Sequence, residues 1–181
     1  MSLSFYVKVG KHRHRDRMLS MHSWRGDENV LDVGCGRGLL LAGAVKKLST
    51  AGRGTGIDIW SKKDMGGNSD AATRRNLEME GVSERCTLFR VPAQEMRFAD
   101  ASFDVVLSSL CLHNICDKLA RQRAVQQIAR VLRPDGVAIL SDYKLTGEYA
   151  EQLRLAGLTV EKQWGNPLYT FPPLRIVIAR K

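Results

Sequence analysis

Among its four cysteines, Cys35, Cys86, Cys111 and Cys116, the chain has no CxxC pair. A disulfide framework is therefore not expected, and a reducing compartment is. Cys111, His113 and Cys116 hold the elements of a zinc set, but in apolar surroundings they read as small core residues, so no metal is expected. A run of about 18 apolar residues is also lacking, and MSLSFYV has no secretory apolar core, so the residues given neither span a membrane nor carry a signal peptide. Acidic residues are in short supply. The 28 Lys and Arg against 19 Asp and Glu leave a net +9, which favours anionic neighbours such as nucleic acid, phosphorylated substrates or acidic lipid. Internal repeats and low-complexity tracts are absent.

What is present suits one α/β domain: 181 residues, 44% of them hydrophobic, enough to bury a full core. The charge excess is local. Lys8, Lys11, Arg13, Arg15, Arg17 and Arg25 face only Asp16 in residues 1–25 and carry +5 of the +9. This divides the chain into a basic N-terminal arm, residues 1–28, and a body, residues 29–181. Met1 to Leu3 read as an expression remnant, which leaves room for natural sequence upstream.

Short apolar runs alternate with longer amphipathic stretches, the pattern of βαβ units. Strands are expected near 29–33, 54–59, 86–91, 103–109, 136–142, 158–164 and 174–180. Helices are expected at 38–48, 70–80 with Ser69 as N-cap, 118–132, and 146–156 closed by Gly157. In the third of these, Leu119, Val125, Ile128, Ala129 and Leu132 mark the buried stripe, and RPDG, Arg133 to Gly136, turns the chain into the fifth strand. A loop holding Pro167, Pro172 and Pro173 joins the last two strands without a helix. They therefore pair antiparallel, at one end of a mostly parallel sheet.

VLDVGCGRGLLLAG, Val30 to Gly43, places Gly34, Gly36 and Gly38 between an apolar strand and an apolar helix. Such a turn brings backbone N–H groups close to a ligand. A dinucleotide fingerprint would have glycine at position 39, where Leu39 stands, so hydride chemistry on NAD is disfavoured. Twenty residues past Gly38, GIDIW puts Asp58 at a strand tip, where a carboxylate accepts hydrogen bonds from ribose hydroxyls and repels a 2′-phosphate. A nucleoside-type cofactor follows.

VLDVGCGRG, GIDIW, FADASFDVVLSSLCLHN and VLRPDG together resemble the successive motifs of the class I S-adenosylmethionine-dependent methyltransferases, from about Asn29 to Lys181. The small bacterial enzymes similar to quinone-biosynthesis C-methyltransferases look nearest. This resemblance implies a Rossmann-like, seven-stranded, mostly parallel sheet of order 3-2-1-4-5-7-6, its last strand antiparallel, with helices on both faces. It implies S-adenosyl-L-methionine as cofactor and S-adenosyl-L-homocysteine as product. Asp32, Gly34, Cys35, Gly36 and Gly38 would follow the methionine moiety and ribose, and Asp58 would hold the ribose. Ile59 and Trp60 would lie near the adenine, while Ser109 and Leu110 would flank the sulfonium. Arg37 reads equally as a partner of the methionine carboxylate or as a solvated helix-start residue. Relatives carry Gly-Asp-Ala where this chain has Val91, Pro92 and Ala93. The adenine carboxylate is lost, leaving the Ala93 N–H, with Glu95 as the candidate substitute.

Methyl transfer from a sulfonium needs alignment, exclusion of water and sometimes removal of a proton. His113 is the candidate base, since imidazole changes charge near neutral pH; the alternative is a structural residue that orients its loop with Asn114. Asn114, Asp142 and Tyr143 are further candidates for contact with substrate. No NPPY or Pro-Cys step is present, so DNA amino- and cytosine C5-methylation are disfavoured. A small-molecule acceptor leads. RNA or protein methylation docked by the arm, and a non-catalytic cofactor-binding module, stand as alternatives. The pocket lacks an obvious lid; the Gly66–Ser69 loop, the arm, a second subunit in a homodimer, or upstream sequence are the candidates. The arm itself is expected to form a helix with Met18, Met21 and Trp24 on one face, either packed at the sheet edge or as a juxtamembrane segment on acidic lipid. The expected location is cytoplasmic, at the membrane face if a hydrophobic segment precedes the arm.

Overall fold

The computed structural model describes residues 9–61, 68–164, 170 and 172–181. Met1 to Leu3, Lys8, Gly66, Gly67 and Pro167, on which the sequence reading drew, lie outside the described residues.

Seven strands form one sheet: β1 (Asn29–Val33), β2 (Arg53–Asp58), β3 (Cys86–Arg90), β4 (Phe103–Ser109), β5 (Leu132–Asp142), β6 (Thr159–Trp164) and β7 (Arg175–Arg180). Their order is β3-β2-β1-β4-β5-β7-β6. β7 runs antiparallel to both neighbours and the other pairings are parallel. The α-helices among the described residues are α1 (Lys11–Leu19), α2 (Leu39–Val45), α3 (Asp70–Met79), α4 (Lys118–Val131) and α5 (Thr146–Leu155). Strands covered on both faces read as continuous apolar runs. Thus β1 is buried along Val30–Val33, and β4 along Val105–Ser108.

Each face carries its own core. Leu31, Val106, Ile128, Leu140 and Leu153 pack under α4 and α5. Val30, Leu41, Leu77, Val105 and Ile139 pack under α2 and α3, together with Met18 and Leu19 of α1. From residue 9 onward the basic arm is thus continuous with the body. Met18 and Leu19 are buried, Met21 and Trp24 pack partly against the same core, and Trp24 Nε1 donates to Leu19 O at 2.8 Å. Gly43, inside α2, makes room for this helix: a Cβ there would lie 2.6 Å from Arg15 Cδ and 2.9 Å from Leu19 Cδ1. Buried His14 bonds Ser141 Oγ of β5 through Nε2 at 2.7 Å. No described helix is long and apolar enough to cross a membrane.

Local signals set most boundaries. Ser69 accepts the Ala72 N–H at 3.1 Å and starts α3, and Gly157, at φ +86°, ends α5. Three details depart from the sequence expectation. RPDG is absorbed into β5 as an irregularity, because Asp135 N and Gly136 O pair with Lys181 at the end of β7. Leu119 is 63% exposed, and buried Arg121 takes its place on the α4 stripe. Finally, α2 ends at Val45, after which Lys47 and Leu48 bond three residues back and tighten the last turn.

Candidate active site

β1 stands between β2 and β4, so the chain departs from it in both directions and leaves a crevice at the carboxyl ends of these strands. Gly34, Gly36 and Gly38 turn into that crevice with φ of +73°, +51° and +83°, values that disfavour any residue with a Cβ. At Gly34 the demand is also steric, since a Cβ would collide with Cys111 Sγ and Cβ. The N–H groups of Gly34 and Cys35 donate to Ile57 O at 2.8 and 3.0 Å and tie the loop to β2.

Asp58, at the β2 tip, reaches back to this loop. Its Oδ2 accepts the Gly36 N–H at 2.8 Å and its Oδ1 the Trp60 N–H at 2.6 Å. A carboxylate has roughly four lone-pair directions, so each oxygen keeps capacity for another donor, such as a sugar hydroxyl. Of the two residues expected beside an adenine, Ile59 is 49% exposed, whereas Trp60 is buried. The Trp60 indole N–H donates to Gly36 O at 3.2 Å and Thr73 Oγ1 at 2.9 Å. Trp60 therefore clamps the glycine loop onto α3. Pro92 and Ala93 begin a short turn, Ala93–Glu95, with Ala93 against the core and Glu95 exposed.

Asp32 is buried inside this arrangement. The N–H of Leu41, third residue of α2, donates to its carboxylate. Gly38 has no side chain to cap that helix, so a strand residue serves the helix start. Oδ2 makes no hydrogen bond among the described residues. Burial, reinforced by the negative charge of Asp58 and opposed by the Leu41 N–H, pushes the carboxyl up to about 7. An ammonium group fits this acceptor, because it would supply both the hydrogen bond and the charge that burial withholds. The thiols of Cys35 and Cys111 are pushed upward chiefly by burial and further by Asp32 and Asp58, so both are inert spacers.

The other side of the crevice is built around Asp142, buried at the end of β5. Its carboxylate accepts from Tyr143 N at 2.9 Å, Tyr149 Oη at 3.2 Å and His113 N at 3.3 Å. His113 Nδ1 lies 2.8 Å from Asp142 Oδ1, close but not in line for a hydrogen bond. The imidazole meets the Tyr143 ring edge-on at 4.7 Å, and its Nε2 makes no hydrogen bond among the described residues. Asn114 is exposed and closes its turn through its backbone, donating to Cys111 O at 3.0 Å. The residue that orients His113 is thus Asp142. Ser109 is half-buried, and Leu110, at φ +54°, donates its N–H to Ser141 O at 2.9 Å.

Three contributors, Thr73, Tyr149 and Arg121, escape sequence reasoning. Thr73 and Tyr149 bond the glycine loop and Asp142. Buried Arg121 donates to Glu148 at 3.1 and 3.0 Å and to Ile115 O at 2.6 Å, pinning the His113 loop between α4 and α5. Its only sequence signal is a charge three and seven residues before Ala124 and Ile128, on the buried stripe. Among the described residues, no three His, Cys, Asp or Glu side chains cluster as a metal would require.

The family described as "Methyltransferase domain" matches residues 31–140. The chain belongs to that family. The methyltransferase domain is 35% identical over 135 residues to the 27-O-demethylrifamycin SV methyltransferase of Amycolatopsis mediterranei, covering 74% of this chain and 45% of that one. It is 28% identical over 150 residues to the chloroplastic 2-phytyl-1,4-beta-naphthoquinone methyltransferase of Arabidopsis thaliana, covering 81% and 54% respectively. The chain thus spans about half the length of these relatives. Among solved structures, the cyclase SpnF shares the fold with a TM-score of 0.76 at 19% identity, covering 94% of this chain and 81% of that one. A SAM-dependent methyltransferase from Aquifex aeolicus does so with a TM-score of 0.70 at 16% identity, covering 92% and 88%.

Proposed function

We propose that this methyltransferase domain binds S-adenosylmethionine in the crevice and methylates a hydroxyl group of a small molecule. The observation that carries the reading is the pairing of two features across one crevice: the buried acceptor of Asp32 beside a glycine loop, and His113 held by Asp142. When bound, the cofactor supplies an electrophilic methyl group on a sulfonium that leaves as a neutral thioether.

The residues of the chain do the rest. Asp32 would receive the ammonium and Asp58 the ribose hydroxyls, while the left-handed glycines keep side chains out of the path. Asp142 faces Nδ1, which leaves His113 Nε2 to accept the proton of an acceptor hydroxyl as its oxygen takes the methyl group. The carboxylate offsets the positive charge that forms on the imidazole, the role an acidic residue plays behind a histidine base. A small-molecule acceptor is supported by relatives named for 27-O-demethylrifamycin SV and 2-phytyl-1,4-beta-naphthoquinone. Four unpaired thiols suit a reducing, cytoplasmic setting.

Calorimetry with S-adenosylmethionine, S-adenosylhomocysteine and NAD tests the cofactor: the two adenosyl compounds bind and NAD does not. His113→Ala tests the base, with an expected loss of about 10²- to 10⁴-fold in turnover and little change in S-adenosylhomocysteine affinity. Binding of NAD alone, or full turnover by His113→Ala, would overturn the corresponding half of the reading.

A further inference from the structure

Two consecutive residues at the start of α5 reach the loop that carries His113. Glu148 holds Arg121, whose guanidinium donates to Ile115 O at 2.6 Å and to Cys116 O at 3.4 Å. Tyr149 holds Asp142, its hydroxyl 3.2 Å from Oδ2. One helix start therefore grips the backbone of this loop through an arginine and its imidazole through a carboxylate. Tyr149 is 1% exposed and belongs to the core under α4 and α5, so packing of the ring fixes where the hydroxyl stands.

The hydroxyl is the part that packing does not require. An ionised carboxylate only accepts, so the Tyr149 O–H donates. Burial and, next, the charge of Asp142 push the phenol upward, which keeps that proton in place. Oδ2 takes it together with the His113 N–H at 3.3 Å, and Oδ1 takes the Tyr143 N–H at 2.9 Å. Three donors on two oxygens set the carboxylate plane, with Oδ1 2.8 Å from His113 Nδ1. A donor to an ionised carboxylate also weakens its hold on a proton. The other groups around the imidazole leave this role to Tyr149. Tyr143 meets it by a ring edge, with Lys144 over that ring, Arg121 is paired with Glu148, and burial pushes the Cys111 thiol upward, helped by Asp58, Asp32 and Asp142.

We infer that Tyr149 is a positioning residue for the proton transfer: its hydroxyl holds Asp142 with Oδ1 turned to His113 and weakens the pull of that carboxylate on the imidazole, which therefore meets the acceptor unprotonated. The inference rests on the reading of His113 as the base and adds the group that tunes it. A tyrosine kept only for its ring would have no such effect, and phenylalanine would replace it without consequence for His113.

The test is an NMR titration of the His113 imidazole, identified by the signals missing from His113→Ala, in the wild type, Tyr149→Phe and Tyr149→3-fluorotyrosine. Phenylalanine keeps the ring and removes the donor, so the midpoint should rise by about 0.5 or more, roughly a threefold gain in proton affinity. The fluorinated phenol is a stronger donor, so the midpoint should fall by about 0.3 or more. In an Asp142→Asn background, Tyr149→Phe should move it by less than about 0.2, because the hydroxyl acts through the carboxylate. A midpoint unmoved in either single variant, a shift in the other direction, or a full shift that persists beside Asp142→Asn overturns the assignment. If Tyr149→Phe does not fold, the fluorinated protein, which keeps the hydroxyl, decides alone. Full turnover by His113→Ala strikes the base reading instead, and it leaves the titration standing because that measurement uses neither cofactor nor acceptor.

Discussion

Replacing Asp32 by Asn should make the protein less sensitive to alkaline pH, the opposite of what removing a carboxylate usually does. The buried carboxyl titrates at about 7 rather than near 3.8. Between those values the native state holds a proton that the unfolded state has released, so stability is full below pH 4 and falls as pH rises through 7. Over the whole range the loss is about 4 kcal/mol, and between pH 5 and pH 8 about 3 kcal/mol. Asn keeps an oxygen for the Leu41 N–H and does not titrate, so this loss is absent from Asp32→Asn. Urea unfolding of both proteins at pH 5, 6.5 and 8, followed by circular dichroism, measures the difference directly, because every other titrating group cancels. A gap that widens in favour of the variant by about 3 kcal/mol from pH 5 to 8 is the expected result. A gap that stays constant would mean that Asp32 is ionised throughout in the ligand-free protein, and the case for a cation acceptor in the crevice would lose its energetic basis. The same variant should bind S-adenosylhomocysteine more weakly, since its amide lacks the charge that pairs with an ammonium.

His14 gives the opposite slope. Burial, with help from Arg17, lowers its imidazole to about 4, so the unfolded state binds the extra proton and stability present above pH 6.5 is lost on acidification, by about 3 kcal/mol at pH 4; His14→Gln should lack this loss in urea unfolding across that range. Gly34→Ala should destabilise by about 2–4 kcal/mol through its positive φ and its collision with Cys111, and adding Cys111→Gly should recover the collision but not the φ cost, as thermal denaturation of the double variant would show. Arg121→Met leaves Glu148 without its partner and frees the Ile115 carbonyl; with Glu148 only partly covered, a loss of about 2–3 kcal/mol is expected in chemical denaturation, and a loss under about 1 kcal/mol would remove Arg121 as the clamp of the His113 loop.

The parts of the fold legible in the sequence are those that neighbouring residues enforce. β1 and β4 occupy the expected residues because their continuous apolar character admits little else. Ser69 and Gly157 mark helix ends because a hydroxyl at an N-cap and a glycine at a left-handed C′ position act over three or four residues. The glycine loop and Asp58 were legible for the same reason, as a turn geometry and a strand tip at a fixed distance. Misreadings came where distant chain intervened. Leu119 fits an apolar stripe by type, but Arg121 occupies the buried position because Glu148 and two carbonyls wait there. RPDG looks like a free turn until Lys181 pairs with it. The sequence also gives no sign that the Trp60 indole N–H bonds Gly36 O and Thr73 Oγ1.

From its own order of residues the chain fixes the alternation of strands and helices, the left-handed glycine turn and the carboxylates at the strand ends, because backbone conformation and side-chain period are local properties. The partners of those carboxylates were decided only in three dimensions. That Asp32 keeps, among the described residues, a buried oxygen without a hydrogen bond, and that Asp142 lies against His113, are consequences of sheet order, which brings together residues as far apart as His14 and Ser141, 127 positions along the chain, through burial rather than through sequence proximity.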